Sequence, residues 1–271
     1  MSEKRVVIAP TRGELASLVA DKFLVRAGKA IRRTGKFCVV LTGGTVGIET
    51  LAAIARNPAA QELDWSKVSL WWGDERFVPH GDADRNDQQA AEVFLDLLPL
   101  DPEKIHRFPT SDGCSLDEGA KLYAAELRGA ATAGEEWPTF DLAFVGMGPD
   151  GHVLSVFPGT DHAASKEVGV DAVRNSPKPP PERLTMSLAL LNRAERVWMV
   201  VSGVDKAAAL GLALANASTF EVPAAAISGT RSTKIFIDQD LAQLLPADLV
   251  VTNQFWSAED ERADYVPKAL R

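Results

Sequence analysis

The feature that most constrains this chain is a regular alternation of short apolar runs with longer segments of helical periodicity. The apolar runs RVVIA and FCVVLTGG are followed by helical segments at residues 14–33 and 46–56. This alternation is typical of βαβ units, in which crossover helices join parallel strands. Most of the runs are apolar throughout, which predicts strands covered on both faces. We therefore expect a doubly wound α/β sheet with helices on either side.

The same rhythm continues along the rest of the chain. Further helical segments are expected at residues 86–98, 116–130 and 205–217, and further strand-like runs are VSLWWGDE, FDLAFVGMG, RVWMVVSG, PAAAI and STKIFID. The stretch NSPKPPPE at 175–182 resembles a linker, because its prolines cannot continue a helix. It is either a plain loop or a rigid lead-in that fixes Arg183. We expect one three-layer α/β/α domain over residues 1–271, with a mostly parallel sheet.

Composition and charge exclude several classes of function. The net charge is −8 and the isoelectric point is near 5.1, without the clustered Lys and Arg that nucleic-acid binding requires. No apolar run approaches the roughly 18 residues of a membrane-spanning helix. The start of the chain lacks a secretory signal, so we expect a soluble, cytoplasmic protein. Cys38 and Cys114 do not form a disulfide framework, and a buried thiol is the ordinary interpretation of Cys38.

The first candidate binding segment is the glycine-rich turn LTGGTVG, between a predicted strand and a predicted helix. Gly43 and Gly44 let backbone amides approach a ligand, and amides at a helix N-terminus suit a phosphate. The hydroxyl of Thr45 adds a donor. The alternative is structural, since paired glycines also serve tight strand-to-helix turns. The turn therefore needs support from other segments.

The second candidate segment is WWGDERFVPHGDADRN, in which three charged residues directly follow an apolar strand. Asp74, Glu75 and Arg76 are predicted to lie at the carboxyl end of that strand, where ligands bind in open α/β sheets. The alternative is that Asp74 or Glu75 caps a helix or turn and that Arg76 is its surface ion-pair partner. The aspartates that follow lack the spacing of a calcium loop, so we expect no metal here.

The third candidate segment, FDLAFVGMGPDGHVLSVFPGT, places a histidine in a glycine-rich turn after a strand. His152 is predicted to emerge at the sheet edge before a helical segment, with the freedom that a general base needs. Asp150 lies two residues earlier and is placed to hydrogen-bond the imidazole. His80, His106 and His162 are interpreted as packing or capping residues. His152 is therefore the candidate base.

The fourth candidate segment comprises two cations, Arg183 and Lys206. Arg183 opens RLTMSLALLN, and Lys206 follows another strand, in the first turn of a predicted helix. A cation at that position opposes the helix dipole unless an anion is bound there; the alternative is a solvated lysine tolerated at small cost. Together with the glycine-rich turn, the two cations predict a phosphate pocket in an otherwise acidic protein.

In order and spacing, these segments resemble the 6-phosphogluconolactonase family over nearly the whole chain. GMGPDGH followed by SVFPGT is the most specific element of the resemblance. The resemblance implies a Rossmann-like fold, no cofactor, and hydrolysis of 6-phosphogluconolactone to 6-phosphogluconate in the oxidative pentose phosphate pathway. The chain departs from many family members in having Thr45-Val46-Gly47 where they have Ser-Thr-Pro.

The resemblance also assigns roles to the candidate residues. It places His152 and Arg76 near the lactone, with Asp74 and Asp150 lining the site. His152 is then expected to take a proton from water, and Arg76 or nearby amides are expected to stabilise the oxyanion. No metal or covalent intermediate is needed, and the absence of G-x-S-x-G disfavours a serine nucleophile. The residues expected to hold the phosphate are Gly43, Gly44, Thr45, Arg183 and Lys206.

Two other functions remain open at this point. A glucosamine-6-phosphate deaminase or aldose-ketose isomerase shares the phosphate pocket and the D-G-H turn, and its base would be Asp74. Arg76 and the VFPGT segment favour the lactonase. A sugar-phosphate sensor domain is the third possibility, but a basic helix-turn-helix segment is absent ahead of the fold. The sequence does not determine the oligomeric state, for which a monomer is preferred.

Overall fold

A computed structural model describes residues 4–251 of the chain. The strands within these residues are β1 (Lys4–Ala9), β2 (Phe37–Leu41), β3 (Val68–Trp72), β4 (Asp74–Arg76), β5 (Ile105–His106), β6 (Leu142–Val145), β7 (Val170–Val173), β8 (Arg183–Met186), β9 (Arg196–Val201) and β10 (Ser232–Asp238).

Seven of these strands form one parallel sheet in the order β1-β10-β9-β6-β2-β3-β5. The register pairs Val39 with Leu70 between β2 and β3, and Lys4 with Thr233 between β1 and β10. Every residue of β6 and β9 is buried, as expected for strands covered on both faces. The remaining strands form a small antiparallel sheet in the order β4-β8-β7.

Helices connect most of the strands. They are α1 (Arg12–Thr34), α2 (Thr45–Arg56), α3 (Asn86–Val93), α4 (Leu116–Gly129), α5 (Asp161–Ala164), α6 (Leu188–Leu191), α7 (Ala207–Leu214), α8 (Gln239–Ala242) and α9 (Ala247–Val251). Short 3-10 turns lie at Pro58–Glu62, Trp65–Lys67, Leu95–Leu97, Pro102–Lys104, Val204–Lys206 and Pro223–Ala226.

Local signals explain where the longest helix, α1, begins and ends. The Thr11 hydroxyl accepts a hydrogen bond from the Glu14 amide at 3.2 Å, which satisfies one free donor of the first turn. Gly35 ends the helix in the left-handed conformation, with φ of 76°. Val19 and Phe23, which are fully buried, lie on the apolar stripe that faces the core. The sequence therefore specifies both ends of α1 and the face that it buries.

The small sheet is joined to the large one through helix α4. Tyr123 of α4 is fully buried, and its hydroxyl accepts a hydrogen bond from the Trp72 amide at 3.0 Å. The Tyr123 ring also stacks on Phe108, with ring centroids 3.7 Å apart. On its other side, α4 packs against β7 and β8. This arrangement holds β4 and β8 beside the carboxyl end of β3, where they contribute residues to the site.

The structure confirms the predicted Rossmann-like α/β fold with a mostly parallel sheet and corrects several elements. The predicted helix after His152 is absent, because Val153 and Val156 form a bridge within a tight turn and Pro158 and Gly159 follow. PAAAI forms a 3-10 turn rather than a strand, since alanine has low strand propensity and proline suits a first helical position. Among residues 4–251, no helix is both long and apolar enough to cross a membrane.

Two predicted helices are also shorter than expected. The segment at 86–98 divides into α3 and the 3-10 turn Leu95–Leu97, and the helix at 205–217 is reduced to α7. Lys206 therefore lies not in the first turn of a helix but at the end of the 3-10 turn that precedes α7. Gly203, with φ of 113°, opens that turn and prevents the helix from beginning earlier.

Candidate active site

The candidate site lies at the carboxyl ends of β2 and β6, where the strand order reverses. The chain runs from β2 to β3 on one side and returns to β6 on the other, which makes this edge a topological switch point. The Gly146 amide donates to the Thr42 hydroxyl at 3.3 Å and joins the two loops. A cavity of about 640 Å³, including space open to solvent, is lined by Thr42, Gly43, Gly44, Thr45, Val46, Gly47, Asp74, Arg76, Asn86, Gly146, Met147, Gly148, His152, Leu154, Arg183, Val200 and Lys206.

One wall of the cavity is the N-terminus of α2. The first hydrogen bond of the helix runs from the Ile48 amide to the Gly44 carbonyl at 2.9 Å. The preceding amides of the first turn therefore have no acceptor within the helix. Gly44 has φ of 79°, a conformation that favours glycine. A Cβ at Gly47 would lie 2.9 Å from the Thr42 carbonyl oxygen, so this glycine permits close packing of helix and loop. The Val46-Gly47 departure therefore leaves an intact helix N-terminus facing the cavity.

Asn86 packs against the same loop. Its amide nitrogen donates to the Asp74 carbonyl at 2.9 Å, and its backbone N–H donates to Glu75 Oε1 at 2.7 Å. Its Oδ1 is buried and has no hydrogen-bond partner within residues 4–251. A Cβ on Gly43 would lie 1.8 Å from that oxygen. Glycine is therefore required at position 43, because Asn86 occupies the space of any side chain there.

The three consecutive charges at 74–76 have different surroundings. Asp74 lines the cavity and accepts a hydrogen bond from the Ser155 hydroxyl at 2.7 Å. Arg76 also lines the cavity and donates to the Asp84 carbonyl, which holds its guanidinium group in place. Glu75 points away from the cavity, into a buried charge cluster. The structure thus brings Asp74 and Arg76 to the site. Glu75 instead has the capping role that the sequence analysis considered as the alternative to ligand binding.

The buried cluster around Glu75 anchors the segment that carries Arg76 and Asn86. Glu75 accepts the Asn86 and Asp87 amides at 2.7 and 3.0 Å and thereby caps α3. Arg85, with 1% of its side chain exposed, lies 3.9 Å from Glu75 and 2.8 Å from Asp87. Burial raises the pKa of Glu75 to about 8; Asp87 adds to this shift and Arg85 opposes it. The cluster therefore fixes the positions of Arg76 and Asn86 without contributing a side chain of its own to the cavity.

His152 and Asp150 form a hydrogen-bonded pair at the mouth of the cavity. His152 Nδ1 lies 2.5 Å from Asp150 Oδ1, and 18% of the His152 side chain is exposed. With Nδ1 engaged, Nε2 is the nitrogen available to take a proton. Gly151 has φ of 83°, and a Cβ on Gly148 would lie 2.0 Å from the imidazole. The two glycines therefore create both the turn and the space that the ring occupies.

The surroundings of His152 favour its neutral form. Burial lowers the pKa of His152 below its ordinary value, and the Lys178 ammonium group adds to this effect, whereas Asp150 and Asp74 oppose it. The Phe157 ring, with its centroid 4.6 Å from that of the imidazole, supplies part of the apolar surroundings. Burial favours the protonated form of Asp150, but its hydrogen bonds to His152 and the Lys178 ammonium group together outweigh burial and lower the pKa of this carboxyl. Both shifts favour a neutral imidazole beside an ionised carboxylate.

Arg183 faces Arg76 across the small sheet, since the two are register partners of β8 and β4. Directly opposed like charges destabilise a strand pair unless an anion lies between them. Arg183 is 6% exposed, and burial lowers its pKa. Its Nε and Nη2 donate to carbonyl oxygens of residues 178–180 at 2.9 to 3.2 Å. Arg183 therefore lines the cavity and also fixes the proline-rich loop that precedes it.

Lys206 supplies a third cation to the cavity. Its Nζ donates to the Ser202 carbonyl at 2.8 Å, which holds the side chain across the end of β9. Burial lowers the pKa of Lys206, while the Asp205 carboxylate opposes that shift. Arg76, Arg183 and Lys206 therefore share one cavity with a single carboxylate, Asp74. The cavity is locally positive in a chain whose net charge is −8.

The residues singled out from the sequence meet in one place. Of those assigned to catalysis or phosphate binding, Asp150 alone is not in the cavity wall, and it contacts His152. The other three histidines lie outside the cavity wall: His80 donates its backbone N–H to Asp112, His106 stacks on Trp71 with centroids 3.8 Å apart, and His162 pairs with Asp171. Within residues 4–251, no group of three or more His, Cys, Asp or Glu side chains is placed to hold a metal ion.

The sequence analysis missed three polar side chains that contact the candidate residues: Asn86, Ser155 and Lys178. A signal existed for Asn86, which ends the charged segment GDADRN and is the first residue of a predicted helix. Ser155 and Lys178 gave no such signal. Ser155 lies in a segment predicted to be helical, and Lys178 lies among prolines in a segment interpreted as a loop. Their positions depend on contacts between distant parts of the chain.

Comparison with known proteins places these features in context. The profile of the family described as glucosamine-6-phosphate isomerases/6-phosphogluconolactonase matches residues 10–236. A 6-phosphogluconolactonase of Streptomyces coelicolor is 38% identical over 250 residues, covering 90% of this chain and 96% of the relative. One of Mycobacterium tuberculosis is 37% identical over 245 residues, covering 89% and 98%. The crystal structure of 6-phosphogluconolactonase from Thermotoga maritima has a TM-score of 0.76 at 25% identity, covering 88% of this chain and 100% of that one.

Proposed function

Because this chain belongs to the family of glucosamine-6-phosphate isomerases and 6-phosphogluconolactonases, we propose that it hydrolyses 6-phospho-D-glucono-1,5-lactone to 6-phosphogluconate. The reaction belongs to the oxidative pentose phosphate pathway. One observation carries the proposal beyond the family: His152, with Nε2 available, shares a cavity with a helix N-terminus and three cations. A neutral base beside an anion-binding wall suits hydrolysis of a phosphorylated ester.

In the proposed mechanism His152 activates water. Nε2 takes a proton from a water molecule as its oxygen attacks the lactone carbonyl carbon, which produces a tetrahedral oxyanion. Collapse of this intermediate breaks the bond to the ring oxygen, which leaves with the proton from the imidazolium. Asp150 orients the ring and stabilises its positive charge. Arg76, held by the Asp84 carbonyl, is positioned to stabilise the oxyanion.

The phosphate group is proposed to bind at the other end of the cavity. The free amides of the α2 N-terminus, including those of Thr45 and Val46, offer donors aligned with the helix dipole. Arg183 and Lys206 add two positive charges, so the dianion relieves the repulsion among cations that burial has already partly desolvated. The reacting carbonyl then lies nearer His152 and Arg76.

A direct assay tests the proposed function. We expect acid release from freshly prepared 6-phosphogluconolactone to exceed the enzyme-free rate by several orders of magnitude, and no ammonia release from glucosamine 6-phosphate. Gluconolactone without the phosphate is the matched control, because it presents the same ester without the anion. Ammonia release without accelerated acid release would instead support a deaminase with Asp74 as base.

Chelation tests the metal-free mechanism. We expect EDTA to leave the lactonase rate unchanged, because the general base and the oxyanion donor in the proposed mechanism are side chains of the protein itself. The measurement is the initial rate before and after exhaustive dialysis against EDTA. A loss of turnover that zinc restores would contradict this mechanism and require a Lewis-acid role for the ion.

Other properties of the protein follow as parts of the proposal. We propose a monomer, in which the base, the oxyanion donor and the phosphate donors line one cavity of the chain. Residues 1–271 are proposed to act as one domain, with a small phosphorylated lactone as the partner and no nucleic acid or membrane. Cys38 and Cys114 are free thiols, which suits a reducing compartment such as the cytoplasm.

A further inference from the structure

Lys178 contacts the pair formed by His152 and Asp150 but lies in a segment far from both in sequence. Its Nζ is 3.5 Å from His152 Nδ1 and 3.6 Å from Asp150 Oδ1. Asp150 Oδ1 accepts hydrogen bonds from Nδ1 and from the His152 backbone N–H, and the Lys178 ammonium group forms an ion pair with this same oxygen. The ammonium group is therefore an immediate neighbour of the imidazole on the side opposite the cavity-facing Nε2.

The loop that carries Lys178 is held by several hydrogen bonds. The Lys178 backbone N–H donates to the Ser176 hydroxyl at 3.3 Å, and that hydroxyl donates to the Lys178 carbonyl at 2.9 Å. The Ser176 amide donates to the Pro181 carbonyl at 2.9 Å. Arg183 then binds three successive carbonyls of the loop from inside the protein. The position of Lys178 thus follows from the fold, although 41% of its side chain is exposed.

We propose that Lys178 is a positioning residue for hydrolysis: its ammonium group holds the Asp150 carboxylate against the imidazole and disfavours a second positive charge on His152. This inference rests on the proposed function, because it concerns the base of that reaction. A protonated imidazole would place two cations 3.5 Å apart, shared by one carboxylate. Lys178 therefore extends to lower pH the range in which His152 is neutral and can accept a proton from water.

The other charges around His152 do not replace this effect. Asp150 and Asp74 favour the protonated ring, whereas burial and Lys178 disfavour it. Arg76 and Arg183 line the same cavity and are engaged with backbone carbonyls. Phe157, which packs beside the ring, carries no charge. Among these groups, Lys178 is the cation that contacts both His152 and Asp150. Its removal is therefore expected to affect both the protonation of the imidazole and the position of the carboxylate.

The test is the pH profile of Lys178→Met, which keeps much of the side-chain length but removes the charge. We expect the acidic limb of kcat/KM to move to higher pH by about one unit, with KM for the lactone little changed at pH 8. Lys178→Arg should restore the wild-type limb, because it returns a cation to the same place. Lys166→Met is the matched control, since it removes an exposed lysine elsewhere in the chain.

A second measurement follows the imidazole itself. NMR titration of His152 in the wild type and in Lys178→Met reports the pKa of the ring without any turnover, and thermal unfolding shows whether the variant is folded. An upward shift in the variant supports the inference, and an unchanged pKa in a folded variant overturns it. If Lys178→Met does not fold, Lys178→Gln takes its place. A wild-type protein that does not hydrolyse the lactone would overturn the proposed function, whereas the titration would still decide the effect of Lys178 on the ring.

Discussion

We expect His152→Asn to lower kcat for lactone hydrolysis by about 10² to 10⁴, with little change in KM. Asn keeps part of the hydrogen-bonding shape towards Asp150 but cannot accept a proton from water. The neighbouring glycines leave the shorter side chain without a clash, so the fold should be preserved. The measurement is acid release from fresh substrate, with the spontaneous rate subtracted at each pH. Gly148 and Asp150 remain unchanged in this variant.

The pH profile of the wild-type enzyme provides the control for this result. Burial lowers the pKa of His152, so the neutral ring persists to lower pH and the acidic limb should fall below pH 6.5, the ordinary value for histidine. That limb should flatten in His152→Asn, because the titrating base is gone. A variant within threefold of the wild-type kcat would exclude His152 as base and leave Asp74, held by Ser155, as the next candidate.

The second large effect is expected at the phosphate end of the cavity. Lys206→Met should raise KM about 10- to 100-fold and leave kcat largely unchanged, because a charge-assisted contact to an unreacting group contributes equally to ground and transition states. The hydrogen bond from Lys206 to the Ser202 carbonyl shows that the ammonium group is fixed before any ligand arrives. Steady-state kinetics over a wide range of lactone concentrations measure the effect.

Lys121→Met is the matched control for this substitution, since Lys121 is exposed on α4 outside the cavity. A collapse of kcat at unchanged KM in Lys206→Met would instead place this lysine at the reacting carbonyl. Arg183→Ala is a less selective variant than Lys206→Met. It removes a cation from the cavity but also releases three loop carbonyls, so KM and stability should change together.

Much of the fold follows from patterns within single segments. The apolar runs are continuous because both faces of each parallel strand are covered, and this property is visible in sequence. Parallel strands also end at one edge of the sheet, so polar residues after separate strands are expected to meet. That geometric rule brought together Gly43, Asp74 and His152 without any knowledge of strand order. The rule requires only that the strands run parallel, and it needs no information about side-chain contacts.

The missed parts depend on contacts between segments. Strand β4 has three residues and β8 has four, which is too short for an alternating pattern to stand out. Their pairing places Arg76 opposite Arg183, a relation that no local signal contains. In the same way, Lys178 reaches His152 through a loop whose shape depends on a buried arginine. The apolar pattern also misled at PAAAI, where the run forms a 3-10 turn that its proline and alanines favour over a strand.

The pairing of β1 with β10 has a consequence for how the chain folds. Strand β1 lies at the edge of the sheet, and its neighbour β10 begins at Ser232, so Lys4 pairs with a residue more than two hundred positions away. Contacts of such long range form slowly, because a long loop must close before they contribute. During synthesis on the ribosome, β1 therefore remains without its sheet neighbour until nearly the whole described chain has emerged. The first strand to be synthesised is therefore among the last to pair within the sheet.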